Sequence, residues 1–338
     1  MVDQRVIRQT ALRLVLEDGA AVGTRLAASC GISRQVASNH LRALTKHGLI
    51  EANGSTRSKV YRLKTVAEAT REFPCAGLAE DRVWREVFAP LLAGLPENVL
   101  DIWEYGVTEM VNNAIDHSGS ASVQVGVRRN ALYTDGWIAD EGDGIFIKIQ
   151  RAMNFYDPRE AILELAKGKL TTDPEHHSGE GIFFTSKLFD SFLISSGKLH
   201  FVHAGRDFEV VLERPADAPG TLVVMRLAND SSRTKREVFN EFAEPDDFTF
   251  DKTLVPVRLA QYEGEKLVSR SQAKRLYQRF ERFRHVILDF EGVAEIGQAF
   301  ADEVFRVFKA SHPSVVLTPI NMAPEVSRMI GRVETRVT

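Results

Sequence analysis

The stretch that decides the fold is Glu109-Met-Val-Asn-Asn-Ala-Ile-Asp-His117, together with Asp140-Glu-Gly-Asp-Gly-Ile-Phe146 a short way downstream. On a helix, Glu109 and Asn113 lie one turn apart on a polar face, and the apolar residues fall on the opposite side, where a sheet can cover them. The second stretch follows a run with the character of a strand end, and its glycines let the backbone approach a flat ligand closely. Taken singly, the first is equally well an amphipathic surface helix and the second an ordinary turn.

Two further glycine motifs follow in the chain. Gly179-Glu-Gly181 opens into an apolar helical run, whose first N–H groups suit phosphate, and Gly220-Thr221 opens into a strand. In this order the four motifs resemble the N, G1, G2 and G3 boxes of the GHKL (Bergerat-fold) ATPases, a superfamily that includes gyrase, histidine kinases and anti-sigma-factor kinases. The resemblance covers roughly residues 72–230 and implies ATP and Mg²⁺ as cofactors.

The resemblance also assigns roles to the first two motifs. The side-chain oxygen of Asn113 would be a ligand of Mg²⁺, which prefers oxygen donors shared with phosphates. Glu109 would orient or deprotonate the attacking water as the catalytic residue. Asp140 would accept a hydrogen bond from the adenine amino group, and Gly142 and Gly144 would let the backbone pass the base and sugar.

The last two motifs would hold the phosphates and support the base. Gly179, Gly181 and the N–H groups that begin at Ile182 would receive the phosphates, and Thr221 would support the adenine-binding carboxylate from the sheet. His117 is expected to cap its helix, to pack against its neighbours or to contact phosphate.

The segment from Phe146 to Ser178 corresponds to the ATP lid of the family and contains a predicted helix at Pro158–Lys167. Lys167 and Lys169 either reach a terminal phosphate or lie on a solvated face of the lid. A metal site is a weaker interpretation of one acidic and histidine-rich cluster, because matched ligands are lacking elsewhere. Its members are Asp173, Glu175, His176 and His177.

Charge is distributed unevenly along the chain. Up to Thr65 there are eleven basic residues against four acidic ones, an excess of seven positive charges, which leaves −10 for the remainder of a chain with net charge −3. A basic module on an acidic body indicates an anionic partner for the module.

The basic module has the pattern of a winged helix-turn-helix. The sequence predicts helices at 3–17 and 24–30, a recognition helix from the N-cap Ser33 to about His47, and a hairpin around Asn53-Gly54. Val36, Leu41 and Leu44 are expected to face inward. Double-stranded DNA is the expected partner, and the bland alternative is a small protein-interaction domain with a solvated basic face. The expected DNA-binding residues are Arg34, Gln35, Ser38, Asn39 and Arg42 on the helix and Arg57 and Lys59 on the wing.

Beyond the ATPase-like region the pattern alternates between strands and helices, which predicts a small βαβ-type domain. The run from Leu288 to Glu303 resembles the STAS-like domains attached to GHKL modules. Phosphorylated relatives have a Ser or Thr at the start of the helix that follows the strand, whereas this chain has Gly297-Gln298. The resemblance therefore implies docking to a regulatory protein rather than self-phosphorylation at that position.

The fold class that follows is multidomain α/β: a winged helix, an α/β sandwich of the Bergerat type and a small STAS-like α/β domain. The expected boundaries are 1–65 for the winged helix, 66–100 for a helical connector, 101–230 for the ATPase, 231–251 for a linker and 252–338 for the STAS-like domain. The 338 residues, with 44% hydrophobic and 26% charged, suit about two to three globular domains.

Neither a signal peptide nor a membrane span is expected, since no uninterrupted apolar run begins the chain. Cys30 and Cys75 lack metal-ligand spacing and are expected to be free thiols, so the predicted location is the cytoplasm.

The first functional hypothesis is an ATP-responsive DNA-binding regulator, a homodimer in which ATP·Mg²⁺ alters the packing of the ATPase against the STAS-like domain or a second subunit. Slow ATP hydrolysis is chemically possible. The alternatives are a serine kinase of the anti-sigma type acting on a partner protein and an ATPase effector of a defence or stress system. No histidine-bearing dimerisation helix precedes the ATPase region, which argues against an ordinary sensor histidine kinase.

Overall fold

The structure, a computed structural model, describes residues 3–54, 59–170, 179–205, 208–243, 249–262 and 265–335. It is a mixed α/β protein with one small hairpin sheet, one large antiparallel sheet and one small parallel sheet. This confirms the predicted multidomain α/β class at the level of secondary structure. Among the helices of these residues, none is long and apolar enough to cross a bilayer.

The N-terminal unit consists of three helices and a hairpin. Its elements are α1 Gln4–Glu17, α2 Val22–Cys30, α3 Arg34–Lys46, β1 Ile50–Asn53 and β2 Val60–Leu63. The Ser33 side chain accepts the N–H of Val36 and begins α3, as predicted, and the two strands pair antiparallel. Ala37, Leu41 and Leu44 are buried at helical spacing. Val36 was wrongly predicted to face inward: it lies one position off this stripe and is 40% exposed.

A seven-stranded antiparallel sheet forms the middle of the molecule, in the order β3-β4-β5-β9-β6-β7-β8. Its strands are β3 Ala67–Pro74, β4 Ser122–Arg129, β5 Tyr133–Asp140, β6 Ser191–Ser196, β7 Leu199–Ala204, β8 Phe208–Glu213 and β9 Thr221–Ala228. The segment 66–100 was predicted as a helical connector, but β3 pairs with β4 along its whole length. The sheet therefore begins about thirty residues before the expected boundary at residue 101.

The middle region also contains helices, the longest of which packs against β4 and β5 of this sheet. They are α4 Glu80–Val83, continued through a π-helical turn at Trp84–Phe88 into α5 Ala89–Leu92, then α6 Glu97–His117, α7 Ile145–Met153, α8 Pro158–Lys167, α9 Gly181–Leu188 and α10 Lys235–Phe242. Trp103 of α6 packs edge-on against Phe189 with ring centroids 4.8 Å apart. The predicted helix at 158–167 is confirmed, and the segment expected to be a helical connector is helical from residue 80 to residue 92.

The C-terminal region contains a three-stranded parallel sheet in the order β10-β11-β12. Its elements are β10 Lys252–Pro256, a 3₁₀ turn Val257–Ala260, α11 Arg270–Tyr277, a 3₁₀ turn Phe280–Arg282, β11 His285–Asp289, α12 Gln298–Asp302, continued through a π-helical turn at Glu303–Phe308 into α13 Lys309–Ser311, β12 Val316–Ile320 and α14 Pro324–Glu334. The predicted βαβ pattern is thereby confirmed, because crossover helices connect parallel strands.

The segment 231–251 was predicted to be a linker, and this is wrong for its described residues. Thr234 and Glu237 form a capping box that begins α10. Phe242 and Phe250 then pack against Phe183 of α9, with ring centroids 4.9 and 4.8 Å away. The middle and C-terminal regions consequently share one continuous hydrophobic core, whereas the N-terminal unit has a core of its own.

Candidate functional site

The polar face of α6 forms one side of the candidate site. Val107, Met110, Val111 and Ala114 are buried against the sheet, as the sequence pattern predicts. The remaining side chains of the same turns border an open space, and they are Glu109, Asn112, Asn113 and His117. Predicted spacing and observed placement agree because residues three or four positions apart return to the same face of a helix.

The loop after β5 forms the second side. One side-chain oxygen of Asp140, Oδ1, accepts the N–H groups of Gly142 at 2.9 Å and of Thr221 at 3.2 Å. The Thr221 hydroxyl accepts the N–H of Ile145 at 3.0 Å. Thr221 therefore supports both the carboxylate and the start of α7, which is the supporting role expected for it.

Glycine is required where this loop crosses its neighbours. A Cβ at Gly142 would collide with the carbonyl group of Ser118 at the end of α6, and a Cβ at Gly220 with the carbonyl group of Asp140. Gly144 has a φ of +81°, and a Cβ there would lie 2.7 Å from the hydroxyl oxygen of Ser196. The close approaches hold the loop against both α6 and β9.

The start of α9 forms the third side, facing Glu109. A Cβ at Gly181 would collide with the Glu109 carboxylate, so this carboxylate lies directly against the first turn of α9. The first N–H groups of a helix have no partner within the helix and attract anions. A carboxylate next to them, with space on its other side, is placed to act on a ligand that also contacts the helix start.

Together the four motifs line one cavity of about 310 Å³. All but one of the predicted nucleotide-site residues border it, and these are Glu109, Asn113, Asp140, Gly144, Gly179, Gly181, Ile182 and Thr221. The exception, Gly142, supports the cavity from behind by contacting Ser118. The volume of the cavity is at the lower end of the range found for small-molecule binding sites.

Apolar walls and one lysine complete the cavity, and the sequence interpretation missed them. The apolar lining includes Ile138, Ile145, Ile149, Leu165, Leu170, Ile194 and Val223. Lys148 borders the cavity and donates to the carbonyl oxygen of His117 at the end of α6. Lys148 comes four residues after Gly144, the residue that precedes α7. This spacing places both on the same side of the helix and could have indicated from the sequence that Lys148 faces the site. The lysine places a cation beside the helix C-terminus, where a positive charge is favourable.

Burial shapes the electrostatics of the cavity. It raises the pKa of Asp140, although the two backbone N–H bonds and Lys148 oppose the shift. Burial also raises the pKa of Tyr105, one turn before Glu109, and the negative charges of Glu109 and Glu180 raise it further. The pKa of the Cys75 thiol is raised by burial and by Asp140. Among the residues that line the cavity, Glu109 and Asp140 supply carboxylates and Lys148 supplies a cation.

The donor atoms fit a magnesium ion that a phosphate chain would share. Asn113 offers an amide oxygen, a hard donor of the kind Mg²⁺ prefers, and the Glu109 carboxylate lies one turn before it on the same helix face. In the described residues no group of three or more His, Cys, Asp and Glu side chains could hold a metal alone. Most of the ligands of such an ion would therefore have to come from the phosphates and from water.

The two lysines predicted near the lid lie elsewhere. Lys167 is fully buried, and Lys169 binds Asp251; both contact the C-terminal region and neither lines the cavity. Both predicted alternatives are therefore wrong for these two lysines: they do not face the space where a phosphate would bind, and they do not lie on a solvated face of the lid. The proposed metal cluster Asp173, Glu175, His176 and His177 lies outside the described residues.

The predicted DNA-binding residues form a separate surface on the N-terminal unit. On α3, Arg34, Gln35, Ser38, Asn39 and Arg42 are all exposed, as is Lys59. Asn39 accepts weak hydrogen bonds of 3.3 Å from Gln35 and Arg42. Arg57 lies outside the described residues.

Comparison with known families identifies one region of the chain. Residues 272–327 match the family described as STAS-like domain of unknown function (DUF4325). This confirms the STAS-like domain predicted within 252–338. The matched segment begins inside α11 and ends inside α14, so it includes β11 and β12. No curated protein matches the chain.

Proposed function

We propose that the protein is an ATP·Mg²⁺-binding regulator of the GHKL type whose N-terminal unit binds double-stranded DNA. The observation that carries the nucleotide part is the convergence of all four motifs on one cavity. They come from α6, the loop after β5, the start of α9 and the start of β9, and are separated by up to about a hundred residues in the chain. Random placement of four unrelated turns would not bring them to one space.

In this proposal each group acts on the part of the nucleotide that suits its chemistry. Asp140, charged, accepts a hydrogen bond from the adenine amino group, and the apolar walls cover the faces of the base. The first turn of α9 receives phosphate oxygens. Asn113 holds the magnesium ion, which neutralises phosphate charge when bound. Glu109 orients a water molecule for slow hydrolysis and accepts its proton.

The test of the nucleotide site is calorimetric titration of the full chain with ATP in the presence of Mg²⁺. We expect the wild type to bind ATP and Asp140→Asn to bind it at least about tenfold more weakly. The reason is that the substitution replaces the charged carboxylate acceptor with a neutral amide. Asp143→Asn is the matched control, because Asp143 is an exposed carboxylate in the same loop and does not line the cavity. No heat with the wild type, or equal losses in both variants, would overturn the assignment.

Glu109→Ala separates binding from turnover. It should abolish any hydrolysis and leave ATP affinity largely intact, because Glu109 acts on water rather than on the nucleotide. Loss of binding with unchanged residual turnover would contradict the role proposed for Glu109.

The DNA part is supported by the exposed polar face of α3 and by the excess of seven positive charges up to Thr65. Arg, Gln and Asn on one helix face can reach base edges in a major groove. Fluorescence anisotropy with duplex DNA tests this part, with and without ATP·Mg²⁺. A shift of the DNA curve by nucleotide would support ATP-responsive regulation, and identical curves would remove it.

A further inference from the structure

Helix α8 forms a wall of the cavity although it belongs to none of the four motifs. Leu165 near its end and Leu170 just beyond it both line the cavity. The N–H of Leu170 donates to the carbonyl oxygen of Gly179 at 3.2 Å, so this wall is joined to the glycine motif before α9. Contacts that fix the position of the end of α8 therefore also fix this wall of the cavity.

Lys167, the last residue of α8, is held by the C-terminal region. Its ammonium group is fully buried and donates to Glu164 at 2.5 Å and to the carbonyl oxygen of Gln278 at 2.9 Å. The backbone carbonyl of Lys167 accepts the hydroxyl of Thr253 at 2.7 Å. Gln278 follows α11 and Thr253 lies on β10, so two elements of the C-terminal region contact one residue of the wall.

Lys169 makes a second set of contacts two residues further on. Its ammonium group donates to Asp251 at 2.8 Å and to the carbonyl oxygen of Arg282 at 3.0 Å. The backbone carbonyl oxygen of Lys169 accepts hydrogen bonds from the guanidinium groups of Arg279 and Arg282. The backbone at Lys169 has a φ of +54°, an uncommon conformation for a residue other than glycine. Both ends of this residue are therefore fixed by the C-terminal region.

A third contact reaches the cavity from the other side. The guanidinium of Arg258, in the 3₁₀ turn after β10, donates to the backbone carbonyl of Glu209 at 2.8 Å. The Glu209 side chain is buried and binds Lys187 of α9 at 2.5 Å. The helix that begins at Gly181 thus also rests on an element that the C-terminal region holds.

We propose that the C-terminal STAS-like region is the built-in regulatory partner of the cavity. It sets nucleotide affinity by clamping the end of α8 through Lys167 and Lys169. While the clamp is closed, Leu165 and Leu170 stay in place as the wall. Displacement of the C-terminal region frees them and weakens nucleotide binding. This inference rests on the proposed function, which it deepens by naming how the site is regulated.

The coupling is reciprocal by thermodynamic necessity. Nucleotide that requires the closed wall must strengthen the attachment of the C-terminal region by the same factor as the attachment strengthens nucleotide binding. A protein that binds the STAS-like region in competition with α8 would release nucleotide, and nucleotide would disfavour that protein. Coupling of this kind spans roughly 5-fold to 150-fold in affinity.

The experiment uses the full chain and three variants. Lys169→Ala removes the clamp from the side of α8, and Asp251→Asn weakens it from the other side. Lys266→Ala is the matched control, since Lys266 forms an exposed ion pair with Glu295 in the same region. For each protein we would measure ATP·Mg²⁺ affinity by calorimetry and, without nucleotide, amide hydrogen exchange of residues 158–170.

We expect Lys169→Ala and Asp251→Asn each to weaken nucleotide binding by about 5-fold or more, within the range for coupled sites. Both should also speed exchange in 158–170. The double variant should add little to either single one, because both variants act on the same Lys169–Asp251 ion pair. Lys266→Ala should change neither quantity. A variant that has lost its fold would show fast exchange throughout the chain rather than in 158–170 alone, and Asp251→Asn then carries the test.

Two failures are distinguishable. If the wild type binds ATP and the two clamp variants bind it equally well, the regulatory role of the C-terminal region is overturned and the nucleotide site stands. If the wild type binds no nucleotide, the proposed function fails and this inference fails with it.

Discussion

The two hydrophobic cores differ in what they unite. The N-terminal core, from Ile7 to Ile50, is contained within one predicted domain. The larger core extends from Phe73 to Val333 and crosses the predicted boundary between the ATPase-like and STAS-like regions without interruption. The predicted domain boundary is therefore not a boundary of the hydrophobic core. A change in the cavity should accordingly reach the C-terminal region more directly than it reaches the proposed DNA-binding helix.

Contacts between the cores are slight by comparison. Gln9 of α1 donates to Asp230, after β9, at 3.2 Å. Ala131 and Leu132, in the turn between β4 and β5, pack partly against the N-terminal core. Because β5 ends at Asp140 in the cavity, this strand links the proposed nucleotide site to the turn that packs against the N-terminal unit.

The largest expected effect is a loss of stability of the core that the middle and C-terminal regions share. Lys167→Met should lower the free energy of unfolding of the larger core by about 3–5 kcal/mol, because Glu164 would stay buried without its closest cation. Lys266→Met, at an exposed pair, should leave unfolding unchanged. Denaturant unfolding monitored by circular dichroism checks this, and equal behaviour of the two variants would contradict a structural role for the buried pair.

A cavity-creating substitution in the N-terminal core should make the N-terminal unit unfold separately from the rest of the chain. Leu41→Ala removes a fully buried side chain and should destabilise the N-terminal unit by about 2–5 kcal/mol. Calorimetry should then show an early transition for this unit, while the main transition and nucleotide binding persist. A single transition shifted as a whole would show instead that the two cores unfold together.

Acid should act on the larger core through Glu209. Burial alone would raise its pKa, but Lys187 and His203 lower it to about 2, below its ordinary value of 4.5. The stabilisation, on the order of 3 kcal/mol, is therefore present above about pH 4.5 and lost as the pH falls toward 2. Acid unfolding of Glu209→Gln should lack this component. Glu213→Gln, at an exposed position, should unfold in acid as the wild type does.

The smallest expected effect concerns the exposed helix. Arg34→Ala should weaken binding to a preferred duplex by about 1–3 kcal/mol, as loss of a base or phosphate contact does. Arg328→Ala removes the same charge from α14, where the side chain is exposed, and should leave the affinity unchanged. An equal loss in both variants, measured by anisotropy at fixed salt, would mean that net charge alone attracts DNA.

How far the sequence could predict the site depends on where each residue finds its partners. Glu109 and Asn113 are related by helical spacing, and Asp140 and the glycines by local turn chemistry, so motif and structure agree. Lys148 joins the site through its own position on α7, a signal that was present and overlooked. The contacts of the clamp lysines could not be predicted, because their partners are far along the chain. Lys167 donates to Gln278, 111 positions away, and Lys169 donates to Asp251, 82 positions away.

The fold shows the same division. β3 lies at the sheet edge and only its Phe73 is buried, so its mostly polar sequence predicts a connector rather than a strand. The sequence of α10 predicts a linker because it is polar, although Thr234 and Glu237 carry a capping-box signal. Phe242 of α10 packs against Phe183 and Phe184 of α9, which lie nearly sixty residues earlier in the chain.

Hydrogen exchange of the full chain with and without saturating ATP·Mg²⁺ tests the central claim most directly. The account predicts new protection in 109–117, 138–145 and 181–188, the segments that line the cavity, with α3 at 34–46 unchanged. Equal exchange in the cavity segments with and without nucleotide would contradict it.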